Sequence, residues 1–509
     1  MGRVGKAMSR KPTTNGPEKS DGFVVPTKQP NDTSLLAKEA VEGRNPAKGN
    51  MEGQNAPRTQ SRTGASSALD RVREAARKDR TKKFTALLHH VTIDRLRDAY
   101  VALKRRAAAG VDGVTWDEYG QDIEARLADL HGRVHRGAYR AKPSRRVYIP
   151  KPDGRQRPLG IAALEDKILQ RAVVEVLNAI YEVDFLGFSY GFRPGRSQHN
   201  ALDALATATR CKKVNWVLDA DIRGFFDTID HGWLVKFVAH RVGDKRILRL
   251  IQKWLAAGIL EDGTWSATEE GTPQGATISP LLANVYLHYV FDLWVQQWRT
   301  RSARGAVYVV RYADDIVVGF QHEIDAVRFR TEQQQRLERF GLELHPDKTR
   351  LLRFGRFAET QRRERGQGRP ETFNFLGFTH VCGKARSGQF LLLRLTVKDR
   401  MRAKLKAIRE DLLRRRHLPV PVQGGWLGSV VRGYFAYHAV PTNMQRLQSF
   451  RIEVTRSWFH ALRRRSQRTR MTWERMHRLA ERWIPAPRVL HPYPWDRFAD
   501  RTRGRSRVR

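Results

Sequence analysis

Three aspartates stand out by type and setting. Asp221 closes the run Val217-Leu218-Asp219-Ala220-Asp221-Ile222, and Asp314 with Asp315 fills a tight turn between two β-rich runs, Val307 to Tyr312 and Ile316 to Phe320. Carboxylates brought together repel one another unless divalent cations neutralise them, and an oxygen-only ligand set selects magnesium or manganese over zinc. Two such ions about 3.5–4 Å apart would stabilise both oxygens of an in-line phosphoryl displacement. An isolated Tyr-x-Asp-Asp is also ordinary turn chemistry. The apolar strands on both sides and the upstream Asp221-x-x-x-x-Phe226 make the chemical reading the stronger one.

The elements that must bring these carboxylates together can be read from the pattern. Residues 214–350 give a strand to Ile222, a helix after Asp230, and a helix opened by Ser279 as N-cap with Pro280 at its first position. Two strands, a helix from about Ile324 to Phe340 and the strand-like Leu342-Glu343-Leu344 follow. The order βαββαβ predicts an α+β, ferredoxin-like unit in which the three aspartates are neighbours. Upstream, Val147 to Pro150 and Pro158-Leu159-Gly160 flank a turn rich in basic residues, Lys151, Arg155 and Arg157, and predict a basic hairpin. Ile168, Leu169, Ala172, Val173, Val176, Leu177 and Ile180 form a helical stripe expected to pack beneath it.

The composition narrows the partners. Lysine and arginine number 94 against 53 acidic residues, a formal charge of +41, and such self-repulsion points to a polyanion, nucleic acid first. Residues 394–509 carry 29 basic and 8 acidic residues on three apolar helical stripes. Cys211 and Cys382 are too far apart, and too few, for a disulfide framework or zinc ribbon. No run approaches the roughly 18 apolar residues of a membrane span, so a cytoplasmic protein without a membrane partner is expected. Residues 1–65 are rich in Gly, Pro, Ser, Thr and charge and predict a disordered leader.

The chain resembles reverse transcriptases, and most closely the reverse transcriptase/maturases encoded by bacterial group II introns. The motifs that carry the resemblance are Ile149-Pro150-Lys151-Pro152-Asp153-Gly154 with Arg157-Pro158-Leu159-Gly160, and Tyr190-Gly191-Phe192-Arg193-Pro194-Gly195. Asp221 to Phe226, Pro273-Gln274-Gly275 and Tyr312-Ala313-Asp314-Asp315 follow, then His345-Pro346-Asp347-Lys348-Thr349 and Phe375-Leu376-Gly377-Phe378. The resemblance implies a right-hand polymerase: N-terminal extension and fingers over 66–213, palm over 214–393, α-helical thumb or maturase X domain over 394–465, and a basic DNA-binding region over 466–509.

It also implies roles. Asp221, Asp314, Asp315 and the Ile222 backbone carbonyl would hold two magnesium ions, and Lys151, Arg157, Phe226, Gln274 and Gly275 would contact the deoxynucleoside triphosphate. Phe226 would exclude a 2′-hydroxyl; an assignment to Phe225 instead stays open. Lys348 is a candidate general acid, and Tyr312, Phe375, Leu376 and Gly377 would touch the primer. Arg432, Arg463, Arg464 and Arg465 would bind RNA or DNA, while Trp426, Tyr434 and Tyr437 are read as helix packing. His491 has no ligand partner at usable spacing and is likewise read as packing.

The implied function is RNA-directed DNA synthesis on intron RNA, with RNA binding that promotes splicing and mobility at a target DNA, in a nucleoid-associated ribonucleoprotein. No paired cysteines of an HNH endonuclease follow His491-Pro492-Tyr493-Pro494, so the primer is expected from another source. The alternatives are a non-intron reverse transcriptase of retron, diversity-generating or defence type, a splicing cofactor whose polymerase activity is irrelevant, and an RNA-dependent RNA polymerase.

Overall fold

The computed structural model describes residues 59–150, 156–261, 264–267, 270–272, 275–466 and 470–495. Lys151, Gln274, residues 1–58 of the expected leader and the arginine-rich tail after 495 lie outside the described residues. Helix α1 spans Thr59–Lys78, so helical backbone begins inside the stretch assigned to the leader. Helix α2 (Ile93–Ala102) starts where Thr92 accepts the Arg95 amide at 3.3 Å, and α3 (Ile123–His135) packs on it. Both α1 and α2 lie against α4 (Leu164–Asp184), whose stripe from Ile168 to Ile180 is fully buried.

Strands β1 (Ser144–Pro150) and β2 (Gln156–Ile161) form the expected hairpin, with Val147 opposite Leu159. A later pair, β4 (Ile259–Glu261) and β5 (Thr264–Ser266), extends it to four strands in the order β2-β1-β4-β5. Helix α5 (Gln198–Cys211) opens on a Ser197–Asn200 capping box and leads into the central sheet.

That sheet contains β3 (Trp216–Asp221), β6 (Val307–Tyr312), β7 (Asp315–Phe320) and β8 (Arg350–Arg353), ordered β6-β7-β3-β8 with every pair antiparallel. Numbered along the chain this is 2-3-1-4, the arrangement of a ferredoxin-like unit. The fourth strand differs from the sequence reading. Leu342-Glu343-Leu344 makes only a single bridge, Leu344 to Ile222, and the ladder partner of β3 is Arg350 to Arg353.

Alternation sorts the two faces of the sheet. Leu218, Ala220, Ile316, Val318 and Phe320 join the main core, under α6 (His231–Arg241), α7 (Lys245–Leu255), α8 (Ser279–Leu287), α9 (Leu293–Arg301) and α10 (Glu323–Glu338). Val217, Val310 and Val317 face the other way, onto α5 and a three-stranded sheet of β9 (Phe373–Phe375), β10 (Phe378–Lys384) and β11 (Phe390–Thr396). Helix α8 begins one residue earlier than expected: Ile278 is its N-cap and Ser279 its first residue.

Helices α11 (Lys398–Arg414), α12 (Val420–His438), α13 (Met444–Arg463) and α14 (Trp473–Trp483) close around a core of their own that includes Leu412, Leu427, Phe450 and Trp458. Trp426, Tyr434 and Tyr437 are buried, and Tyr434 stacks on Phe450 with centroids 3.7 Å apart, as packing residues should. His491 stacks on His199 at 3.8 Å and shares a 2.9 Å hydrogen bond with the Ala436 carbonyl. Among the described residues no helix is long and apolar enough to cross a membrane.

Candidate active site

The register of the central sheet brings the chemistry together. Asp221 on β3 lies directly opposite Asp315 on β7, and Asp315 lies opposite Tyr312 on β6. Residues directly opposite in antiparallel strands have Cα atoms about 4.5–5.5 Å apart and project from the same face. Tyr312, Asp315 and Asp221 therefore form one row across three strands. Asp314 stands in the two-residue turn between β6 and β7, so the third carboxylate is beside the other two.

The turn is tightly specified. Ala313 has φ +57, a left-handed conformation that favours glycine at the first position of a two-residue hairpin turn. Gly191 passes beneath it so closely that a Cβ there would meet the Ala313 nitrogen at 2.3 Å. The Tyr190-Gly191-Phe192 motif is thus a floor for the aspartate turn.

The electrostatics are those of a crowded carboxylate site. Asp314 is pushed up to about 7, first by burial and then by the negative charges of Asp315 and Asp221; Arg157 of the hairpin works in the opposite direction. Lys348 Nζ pairs with Asp221 Oδ2 at 3.2 Å in a largely buried contact. The loop that carries it is strapped to β3, since the His345 amide donates to the Asp221 carbonyl at 2.8 Å. His345 is lowered by burial first and by Lys348 next.

An oxygen donor set in which ionising one carboxyl is opposed by two others suits a hard divalent cation. Among the described residues no group of three or more His, Cys, Asp and Glu side chains is set closely enough to hold a metal, so the three aspartates are neighbours by strand register rather than a preformed cage.

The remaining sequence-predicted residues fall into three groups. Phe226 is half-buried and Phe225 is 2 % exposed, so of the two only Phe226 leaves part of its ring uncovered; that ring sits edge-on to Phe192. Gly275 has φ +113, and a Cβ would meet the Gly160 carbonyl oxygen at 2.8 Å, which seats this loop against β2 of the hairpin. Phe375 and Leu376 bury their side chains, so at the Phe375-Leu376-Gly377 turn only backbone can face a ligand; the Leu376 carbonyl accepts the Tyr437 hydroxyl at 2.7 Å. Arg432, Arg463 and Arg464 are exposed on the helical bundle, whereas Arg465 is tied down, donating to the Leu418 carbonyl at 2.8 Å.

Sequence reasoning missed the group beneath the turn. Arg311 is fully buried on the face of β6 opposite Tyr312, bound to Asp292, Asn284 and Ser189. A lone arginine in a β-rich run is the only signal the sequence offers.

A ferredoxin-like sheet with carboxylates on adjacent strand ends defines a nucleotidyl-transfer type of site, and comparison with known proteins places it. Residues 149–380 match the family described as reverse transcriptase (RNA-dependent DNA polymerase). Protein YkfC of Escherichia coli K12 is 38% identical over 274 residues, 48% of this chain and 71% of that protein. The group II intron-encoded protein LtrA of Lactococcus lactis is 35% identical over 238 residues, 46% of this chain and 39% of that protein. A 91 kDa protein in the cob intron of Schizosaccharomyces pombe is 43% identical over 146 residues, 29% of this chain and 18% of that protein. The chain belongs to the reverse transcriptase family.

Proposed function

We propose that the chain is an RNA-directed DNA polymerase that copies intron RNA and binds that RNA to promote its splicing. One observation carries the polymerase reading: Asp221 and Asp315 are cross-strand partners, with Asp314 in the adjoining turn. Asp221, Asp314, Asp315 and the Ile222 carbonyl would hold two magnesium ions, with manganese as a substitute. Bound there, the ions supply activation of a primer 3′-hydroxyl and neutralisation of the departing pyrophosphate.

The chain's own residues do the rest. The central sheet is the palm, the β1–β2 sheet the fingers, and the α11–α13 bundle the thumb. Arg157, with Lys151 six residues upstream, holds the triphosphate; Arg supplies a planar donor fork and Lys a point charge. Phe226 fills the space a 2′-hydroxyl needs, so the product is DNA. Gln274 and Gly275 border the nucleotide, and Tyr312 with the backbone of Leu376-Gly377 seats the primer end. Lys348, which pairs with Asp221 at 3.2 Å, would donate a proton to the leaving group.

Intron RNA as partner rests on the likeness to the intron-encoded protein and on the exposed arginines of the bundle, Arg432, Arg463 and Arg464. Such a partner places the protein in a cytoplasmic ribonucleoprotein, with target DNA as a second polyanion. Purified protein with poly(rA)/oligo(dT), magnesium and dTTP tests the reading. Incorporation supports it; no incorporation, with intron splicing still promoted, replaces it with a splicing cofactor.

A further inference from the structure

Beneath the aspartate turn, on the opposite face of the sheet, lies a buried polar cluster centred on Arg311. The guanidinium is 0 % exposed, and all of its donors are directed at named acceptors. Nε and Nη2 reach the two carboxylate oxygens of Asp292, at 2.7 and 2.5 Å, as a fork-on-fork pair. Nη2 also donates to Ser189 Oγ at 2.7 Å, and Nη1 to Asn284 Oδ1 at 3.0 Å. The remaining contact bears on function: Nη1 donates to the backbone carbonyl of Ala313 at 3.1 Å. Asn284 completes the frame, its amide donating to the Gly191 carbonyl at 2.7 Å, directly under the turn.

Two features make this more than a satisfied core arginine. Ala313 holds a φ of +57, which for a residue with a Cβ costs of order 1 kcal/mol and persists only where surroundings impose it. Its carbonyl, which belongs to the peptide bond leading into Asp314, is held by Arg311. Asp292 in turn lies in a π-helical turn, His288–Asp292, that interrupts the run from α8 to α9. Such one-turn bulges recur at functional sites. A buried ion pair is weak evidence for stability, because a well-packed apolar replacement is often as stable. Its value here lies in direction: a planar fork clamped by Asp292 can hold one carbonyl at a fixed angle, which a lysine's point charge cannot.

We infer that Arg311, clamped by Asp292 and Asn284, is a positioning residue that fixes the strained Ala313–Asp314 turn and so sets the metal affinity of the Asp221, Asp314 and Asp315 site. The inference rests on the polymerase reading above. Groups that orient metal ligands typically change metal affinity or activity about 10–100-fold when lost.

The test compares Arg311→Lys and Ser189→Ala with wild type on poly(rA)/oligo(dT), measuring kcat, KM for dTTP, the half-saturating magnesium concentration and the melting temperature in EDTA. Arg311→Lys keeps the buried charge opposite Asp292 but loses the fork. Its magnesium half-saturation is expected to rise about 10-fold or more and kcat to fall, with KM for dTTP within about twofold of wild type. Ser189→Ala removes a contact on the same guanidinium that does not touch the turn; it is expected to lower the melting temperature without moving the magnesium half-saturation. Should Arg311→Lys not fold, Asn284→Ala, which loses one bond to Arg311 and one to Gly191, takes its place with the same expectation. Equal magnesium dependence in wild type and the folded Arg311 or Asn284 variant overturns the inference while leaving the polymerase reading intact. No magnesium-dependent incorporation by wild type overturns the reading on which it rests.

Discussion

Replacing Asp314 with Asn should make the metal-free protein more stable, and the gain should depend on pH in a calculable direction. Asp314 moves from an ordinary 3.8 to about 7 because burial and two neighbouring carboxylates oppose its charge. Between those values the folded protein keeps the proton and the unfolded chain does not, so stability falls as pH rises through the window and the full penalty is present above about pH 7. Moving from 3.8 to about 7, at ~1.36 kcal/mol for each tenfold change in proton affinity, sets an upper limit of about 4 kcal/mol. Asp314 is partly exposed and shares its repulsion with Asp221 and Asp315, so about 1–2 kcal/mol is the reasonable expectation. For a chain of this size that corresponds to a rise of roughly 1–2 °C in melting temperature.

The assay is thermal melting of wild type and Asp314→Asn in EDTA at pH 8.5 and pH 5.0, repeated with magnesium at pH 8.5. The variant should melt higher than wild type at pH 8.5 and by a smaller margin at pH 5.0, where wild-type Asp314 is itself protonated. Magnesium should raise the melting temperature of wild type and leave the variant nearly unmoved, since the relief it offers has already been supplied. A variant that melts below wild type at pH 8.5 in EDTA, or responds to magnesium as wild type does, would refute the reasoning.

Four further outcomes are expected. Phe226→Ala should raise ribonucleotide incorporation relative to deoxyribonucleotide by about 10-fold or more in single-nucleotide extension, whereas Phe225→Ala, 2 % exposed in the native fold, should instead cost about 3–5 kcal/mol of stability in denaturant melts. Arg157→Ala should raise KM for dTTP about 10-fold, the loss of one charge-assisted phosphate contact. Lys348→Ala should lower kcat about 10²-fold if it donates the proton to pyrophosphate, and a loss below threefold in pre-steady-state turnover speaks for a counter-ion role alone. Arg463→Glu with Arg464→Glu should weaken intron RNA binding and flatten its salt dependence in filter binding, while oligo(dT) extension on poly(rA) stays near wild type.

Much of the fold and the site was legible in sequence because the signals are local. The strands around Asp314-Asp315, the hairpin bearing Arg157 and the α4 stripe all appear within a few residues of where periodicity and turn chemistry put them. What was missed is non-local. Arg350-Leu351-Leu352-Arg353 has no alternation and becomes a strand because β3 offers it a ladder, while the more strand-like Leu342-Glu343-Leu344 runs out against Pro346. Neither the Lys348–Asp221 pair nor the Arg311–Asp292 clamp has any signature in spacing, since each joins elements that only the folded sheet brings together.

The most direct test is primer extension on an RNA template across a magnesium titration, for wild type beside Asp221→Asn and Asp315→Asn. Wild type should incorporate deoxynucleotides with saturable dependence on magnesium and none in EDTA. Each variant should lose about 10³-fold or more of that rate, because removing a metal-holding carboxylate removes the charge stabilisation the reaction depends on, while still showing a cooperative melt in EDTA. Variants that fold and still extend the primer at the wild-type rate would show that these carboxylates, however closely placed, are not where the chemistry happens.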